Sequence, residues 1–273
     1  MEYFRKGNDI ILKREDLDLR QTLDCGQAFR WEEIPSAYEQ TFTGYRGKMP
    51  LTVSQDHDRI IFHDTSEDDL RDIWAGYFDL ETDYSALKDR FSEDEHLKRA
   101  IEFAPGIRIL RQDPEETLIS FIISQNNNIP RIKGIINRLC EIYGGFPEIS
   151  EMGEADEDTL APLRAGFRTK YLLDCVQKVN SGVVSTDKIY DMSLEEGSEY
   201  LKQIKGVGEK VAKCVLLFGY HKLDAYPIDV WIKRVNEQYY PHGLPGCIKG
   251  FEGAAQQYLF YYIRSNGVQN ADR

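Results

Sequence analysis

The segment LKQIKGVGEKVAKCVLLFGY, Leu201 to Tyr220, holds the residues best placed for covalent chemistry. One helix ends before Gly206-Val207-Gly208, where the two glycines permit positive φ and close approach of the backbone to another molecule, and Val207 anchors the turn to a core. Lys210 then falls in the first turn of the next helix. There the positive end of the helix dipole and neighbouring cations disfavour an ammonium, and burial adds to the effect. A neutral amine attacks a sugar anomeric carbon and forms a Schiff base. Nineteen positions later, Pro227-Ile228-Asp229-Val230 opens another helix with Asp229 as N-cap. A carboxylate facing Lys210 across a cleft would stabilise the oxocarbenium character of a breaking glycosidic bond and manage protons. Either residue alone is ordinary, a surface lysine and a structural cap; the pairing is what points to chemistry.

The elements around this pair carry their own signals. The first amides of the Glu209–Phe218 helix lack intrahelical partners and form a phosphate site, with Lys205 and Lys213 adding charge. Further helices are expected over Tyr84–Phe91, Asp94–Glu102, Pro114–Ser124, Ile129–Tyr143, Asp158–Ala165, Thr169–Asn180, Leu194–Ile204, Asp229–Tyr239 and Glu252–Ser265, with glycine stops between many of them. Ahead of them, Gln40 to His63 alternates β-branched and aromatic runs with turn residues, an antiparallel meander to which Ile10–Leu12 and Phe29–Trp31 add strands. Ser66-Glu-Asp-Asp69 reads as the capping box where sheet gives way to helix.

Composition bounds the function. The chain has 273 residues, 41% hydrophobic and 29% charged, as expected of a globular protein with a full core. No apolar run is long enough for a membrane helix, and the N-terminus has no signal-peptide core, so a cytoplasmic protein is expected. Five scattered cysteines and five scattered histidines imply no disulfide framework, no metal and no cofactor. The net charge of -12 argues against nucleic acid as partner, but the acids crowd into segments such as Ser66–Asp69, Ser92–Glu95 and Ser150–Asp158.

LKQIKGVGEKVAKC followed by YPIDVWIKRV closely resembles the helix-hairpin-helix DNA glycosylase superfamily, in which a Gly-x-Gly hairpin precedes the lysine of bifunctional members and an Asp follows at this distance. FIISQNNNIPRIKGIINRLCEIYG (Phe121–Gly144), LDCGQAFRW (Leu23–Trp31) and GFRTKY (Gly166–Tyr171) look like the corresponding stretches of the 8-oxoguanine DNA glycosylase/AP lyase family. The resemblance implies that Asn126 fills the gap left by a flipped base, and that Arg131 and Arg168 hold the estranged cytosine, whose N3 and O2 accept hydrogen bonds. It makes Phe167 the wedge, where the family usually has tyrosine. It assigns the Gly26 carbonyl to the hydrogen on N7 of 8-oxoguanine, Gln256 to the Watson–Crick edge, and Phe260 and Cys214 to the two faces of the base. Trp231 stands near the DNA backbone where eukaryotic members carry histidine. On residue type alone, Phe260 and Cys214 read as core, Asn126–Asn128 as a helix terminus and Phe167 as a buried aromatic.

The expected fold is α+β: an N-terminal antiparallel sheet domain over 1–80, then a helical glycosylase domain over 81–273 in two subdomains, with the helix-hairpin-helix at about 194–218. The expected function is excision of 8-oxoguanine and related oxidised purines from double-stranded DNA, with Schiff-base lyase activity, by a monomer of bacterial, nucleoid-associated type without membrane contact. The rival readings are a glycosylase of the same superfamily for another damaged purine, a non-catalytic hairpin module that binds DNA, and a protein or small-molecule partner.

Overall fold

The computed structural model describes residues 2–267. Its N-terminal part is one six-stranded antiparallel sheet in the order β1-β2-β6-β5-β4-β3. The strands are β1 (Tyr3–Lys6), β2 (Asp9–Lys13), β3 (Trp31–Glu33), β4 (Gln40–Arg46), β5 (Met49–Asp56) and β6 (Arg59–Phe62). Register pairs Ile10 with Phe62, Phe62 with Val53 and Val53 with Phe42, so one apolar row crosses four strands on one face. Trp31, Trp74, Tyr77 and Phe78 cover that row, together with Leu19 and Leu23 of α1 (Leu19–Leu23). The meander was legible in the sequence, whereas β1 and α1 were not. β1 has no buried residue to give it a period, and α1 is only five residues long.

Ser66 closes the sheet region, its hydroxyl accepting the Asp69 amide at 3.0 Å to start α2 (Glu67–Asp69), a π-helical turn over Leu70–Trp74 and α3 (Ala75–Tyr77). Helices α4 (Tyr84–Phe91) and α5 (Glu95–Phe103) follow. Next come α6 (Pro114–Ser124), α7 (Ile129–Tyr143), α8 (Glu157–Leu160), α9 (Arg168–Asn180) and α10 (Leu194–Leu201). The last three are α11 (Glu209–Phe218), α12 (Val230–Tyr239) and α13 (Glu252–Asn266). Side chains one to three positions away define many starts: Asp113 caps α6 ahead of Pro114, Asn128 caps α7, and Ser193 with Glu196 forms a full capping box on α10.

Two expected helices are shorter than the sequence suggests. The Leu194–Ile204 segment leaves the helix after Leu201 and tightens into the hairpin turn. The Asp158–Ala165 segment is α-helical only to Leu160, the end of the four-residue α8, and passes into a 3-10 turn through Pro162, whose missing amide prevents continuation. A second apolar core, running from Phe29 to Ile263, unites these helices. Within it α11 packs on α10 and α6, while α13 packs on α5 and α12. That arrangement brings the end of the hairpin, the start of α12 and the middle of α13 to one place. Among the described residues, no helix is long and apolar enough to cross a membrane.

Candidate active site

Gly206 has φ +83° and so makes the left-handed turn expected of it, with the Tyr171 ring packed against its α-carbon. Gly208 differs from expectation. Its φ of -100° and ψ of -177° are open to any residue, and it serves as the N-cap of α11 with no atom within 4 Å of where a Cβ would lie. A Cβ there would project into open space beside the start of α11. Val207 is buried in the helical core. Asp174 of α9 accepts the Lys205 amide at 2.6 Å, bracing the turn from behind. Lys205 itself is exposed, while Lys213 pairs with Glu209 at 3.1 Å, and Lys202 pairs with the same carboxylate at 3.2 Å.

In the first turn of α11, Lys210 enters a pocket also lined by Gly26, Phe121, Cys214, Phe218, Pro227, Asp229, Gln256, Gln257 and Phe260. All six residues expected at the chemistry and the base pocket are thus together, from four separated parts of the chain. Lys210 Nζ lies 5.2 Å from the centroid of the Phe121 ring, a cation–π contact. That ring stacks on Phe218 at 5.5 Å and meets Phe29 edge-on, giving the lysine a dry floor. Asp229 caps α12 through one oxygen, Oδ1, which accepts the amides of Trp231 at 3.0 Å and Ile232 at 2.8 Å. Neither cap uses Oδ2. Burial pushes the Cys214 thiol up; the charge and hydrogen bond of Lys210 oppose this and the Asp229 charge adds to it, so Cys214 is a neutral wall of the pocket.

One buried acceptor in this pocket lacks a donor. Gln256 is 5% exposed and its Oε1 is buried without a hydrogen bond. Gly26, half-buried at φ +89°, lines the same pocket, and a Cβ built on it would stand 3.6 Å from the Phe260 ring. A buried acceptor without a donor is rare in native folds and marks a place for a ligand that supplies one. A different cavity, about 450 Å³, is lined by Asp113, Glu115, Glu148 and Asp187 with Lys48, a mainly acidic wall that disfavours phosphate.

The residues expected at the estranged base lie on the turn between α6 and α7, in the first turn of α7 and at the start of α9. Asn126 is exposed and left-handed at φ +47°. Arg131 is exposed, whereas Arg168 is 3% exposed and its guanidinium turns inward. Its Nε donates to the Gln125 carbonyl at 2.8 Å, Nη1 to Ala165 at 3.1 Å and Nη2 to Asn126 at 2.9 Å. Burial, then the Arg131 charge, pulls the Arg168 pKa down. Phe167 is 51% exposed, not buried; its ring lies under the Arg168 guanidinium and edge-on to Tyr171. Trp231 is half-buried beneath Arg234. Sequence reasoning missed Phe121 and Gln257, which are buried and carry no local signal, and Arg264, an exposed cation one turn beyond Phe260 and beside Gly26.

A Gly-x-Gly hairpin between two helices that delivers a lysine amine to a pocket with flat apolar walls and a buried unpaired acceptor is the architecture of a helix-hairpin-helix glycosylase of DNA bases. The comparisons narrow the class. Residues 9–118 match the family described as 8-oxoguanine DNA glycosylase, N-terminal domain, and residues 119–243 match HhH-GPD superfamily base excision DNA repair protein. The N-glycosylase/DNA lyase of Saccharomyces cerevisiae is 32% identical over 268 residues, covering 86% of this chain and 71% of the yeast protein. The structure of MBOgg1 in complex with a low affinity DNA ligand superposes with a TM-score of 0.90 at 40% identity, covering 98% of this chain and 100% of that one. The Clostridium acetobutylicum 8-oxoguanine glycosylase/lyase, in complex with double-stranded DNA containing cytosine opposite 8-oxoguanine, gives a TM-score of 0.90 at 34% identity, with 98% and 99% covered. The chain belongs to the 8-oxoguanine DNA glycosylase family of N-glycosylase/DNA lyases.

Proposed function

We infer that this chain excises 8-oxoguanine, and related oxidised purines, from duplex DNA and then cleaves the strand at the abasic site. The observation that carries the substrate is the donor-less Gln256 Oε1 in the pocket that holds Lys210, with Gly26 in the pocket wall to offer its carbonyl as a second acceptor. A guanine-type Watson–Crick edge offers N1–H and N2–H donors to the first, and the N7–H created by oxidation at C8 suits the second. Guanine itself carries a lone pair at N7, so binding it would set acceptor against acceptor, which costs about 1–3 kcal/mol.

In this reading the α11 amides and Lys205 hold a phosphate while Phe167 and Asn126 occupy the space the flipped nucleotide leaves. Arg131 and Arg168 receive the cytosine opposite, Arg168 exchanging part of its carbonyl contacts for the base. Phe260 and Cys214 sandwich the lesion. The Lys210 amine forms a bond to C1′ as the bond to N9 breaks, and the base leaves with the electron pair. Asp229 stabilises the positive charge that builds on the sugar. Ring opening gives the Schiff base, loss of a C2′ proton expels the 3′ phosphate by β-elimination, and hydrolysis frees Lys210. The proposed division at residue 80 gives the sheet unit, through Gly26, the task of reading the lesion; Met1 and 268–273, within the expected domain ranges, lie outside the described residues.

Borohydride reduction of the enzyme with a duplex carrying 8-oxoguanine opposite cytosine should trap a covalent adduct, and Lys210→Gln should abolish it. Undiminished trapping in that variant would remove Lys210 from the chemistry. Excision of an alkylated purine in preference to 8-oxoguanine would remove the substrate assignment.

A further inference from the structure

Gly26 is the pocket residue with the greatest intrinsic freedom, because glycine at φ +89° has neither a side chain nor a single preferred basin to hold its carbonyl in one direction. Its aim therefore depends on what is fixed on either side. The residue after it is fixed many times over. Gln27 is fully buried; its Nε2 donates to the carbonyls of Thr22 at 2.9 Å and Arg108 at 2.8 Å, its Oε1 accepts the Leu110 amide at 3.0 Å, and its own carbonyl accepts from Gln112 at 2.7 Å. The residue before it, Cys25, is also fully buried, and its thiol donates to the Thr22 carbonyl at 3.1 Å. The carbonyl of the Cys25–Gly26 peptide is held from outside the loop by Gln257, whose Nε2 donates to it at 3.1 Å across 232 positions of sequence.

Gln257 is 3% exposed and adjoins Gln256 on α13. Consecutive helical residues point about 100° apart, so one helix turn can present an amide to the base and the next amide to the loop that reads the base. We propose that Gln257 is a positioning residue for lesion recognition: by holding the Cys25 carbonyl it fixes the peptide plane preceding Gly26 and aims the Gly26 carbonyl into the pocket. It acts through Gly26 and touches no reacting atom. The proposal rests on the substrate reading above, since an aimed acceptor matters only for a base with a donor to offer.

The role separates from a merely structural one because an abasic site has no base. Gln257→Leu keeps the bulk and removes the donor; Gln257→Met does the same with an unbranched chain and serves if the leucine variant folds poorly. Single-turnover excision of 8-oxoguanine opposite cytosine should fall by about 10- to 100-fold, the factor expected when one buried hydrogen bond no longer holds a recognition group. The loss should fall on the rate constant at saturating enzyme, not on the concentration giving half-maximal rate. Strand cleavage at a preformed abasic site, which still needs Lys210 and the hairpin, should stay within about twofold of the unsubstituted chain. Excision undiminished in both variants overturns the proposal, as does an equal fall of excision and abasic-site cleavage. Failure of the unsubstituted chain to excise 8-oxoguanine while it still cleaves abasic sites overturns the substrate reading instead.

Discussion

Gly206→Ala and Gly208→Ala place the same methyl group two residues apart in the hairpin, and the structure gives them opposite consequences. At Gly206 the backbone sits at φ +83°, where an L-residue costs about 1–2 kcal/mol. The new Cβ would also lie 2.3 to 2.6 Å from three carbons of the Tyr171 ring. Those are ring atoms of a side chain packed against Phe167 and against the turn, so the ring or the turn must move, and overpacking of that kind costs about 1–3 kcal/mol. The two terms add to about 2–5 kcal/mol of lost stability. At Gly208 neither term exists, because the backbone is extended and no atom lies within 4 Å of the added carbon, so the loss should be limited to the poorer capping by alanine, about 0.5–1 kcal/mol. The methyl instead projects into open space at the start of α11, where a phosphate would approach the helix, and affinity for lesion-free duplex should fall about tenfold, about 1.4 kcal/mol.

Urea unfolding followed by circular dichroism, beside fluorescence anisotropy with a short duplex at low salt, reads both effects. A double-mutant cycle with Tyr171→Ala isolates the steric part: removing the ring should recover about 1–3 kcal/mol of the Gly206→Ala loss and leave the φ part behind. Gly206→Ala as stable as the unsubstituted chain, or no coupling with Tyr171→Ala, would refute the account of how α9 braces the hairpin. Gly208→Ala with full DNA affinity would refute the phosphate site.

Two other substitutions test the charges. Asp229→Asn keeps a good cap for α12, so stability should hold within about 0.5 kcal/mol while single-turnover excision falls about 10²- to 10³-fold; excision above a tenth of normal would remove the carboxylate from the mechanism. Desolvation by burial raises the Glu116 pKa to about 7, against the opposing charge of Arg30. The folded chain therefore holds a proton at Glu116 that the unfolded chain has lost between the ordinary carboxylate value and about 7, and this site's contribution to stability falls as pH rises through that window. Glu116→Gln should flatten the fall, and urea midpoints that keep the same difference between pH 5 and pH 8 in the variant would count against it.

The sequence made the site's local parts legible because their causes are local. Asp229 and Ser66 each satisfy backbone amides two or three residues away, so type and position were enough to place the starts of α12 and α2; Asn128 and Ser193 cap α7 and α10 in the same way. The hairpin could be read for the same reason, except that its second glycine keeps space open instead of supplying a positive φ. Residues whose partners lie far along the chain left no trace. The hydrogen bond from Gln257 to Cys25, the Phe121 ring beneath Lys210 and the inward guanidinium of Arg168 depend on how α6, α9, α11 and α13 come together. None has a period or spacing of its own. Gln256 and Phe260 needed the family resemblance, since an apolar helix face looks the same over a core as over a purine.

The acidity of the chain, which weighs against a nucleic-acid partner when charge is summed, is met by where the charges are paired. Glu209 stands in the first turn of α11, close to the proposed phosphate, where a free carboxylate would repel it. It is held by Lys202 at 3.2 Å and Lys213 at 3.1 Å, and its own pKa is depressed. Two of the hairpin's lysines thus neutralise an acid of the hairpin, and in the proposed clamp the attraction for phosphate rests on the α11 amides and Lys205. Amides bring partial charges with fixed directions, so such a clamp binds through geometry more than through net charge. A strongly negative protein can hold a polyanion on those terms, provided the space beside the start of α11 stays open and the turn keeps its shape. Gly208 meets the first condition, and Gly206 against Tyr171 meets the second.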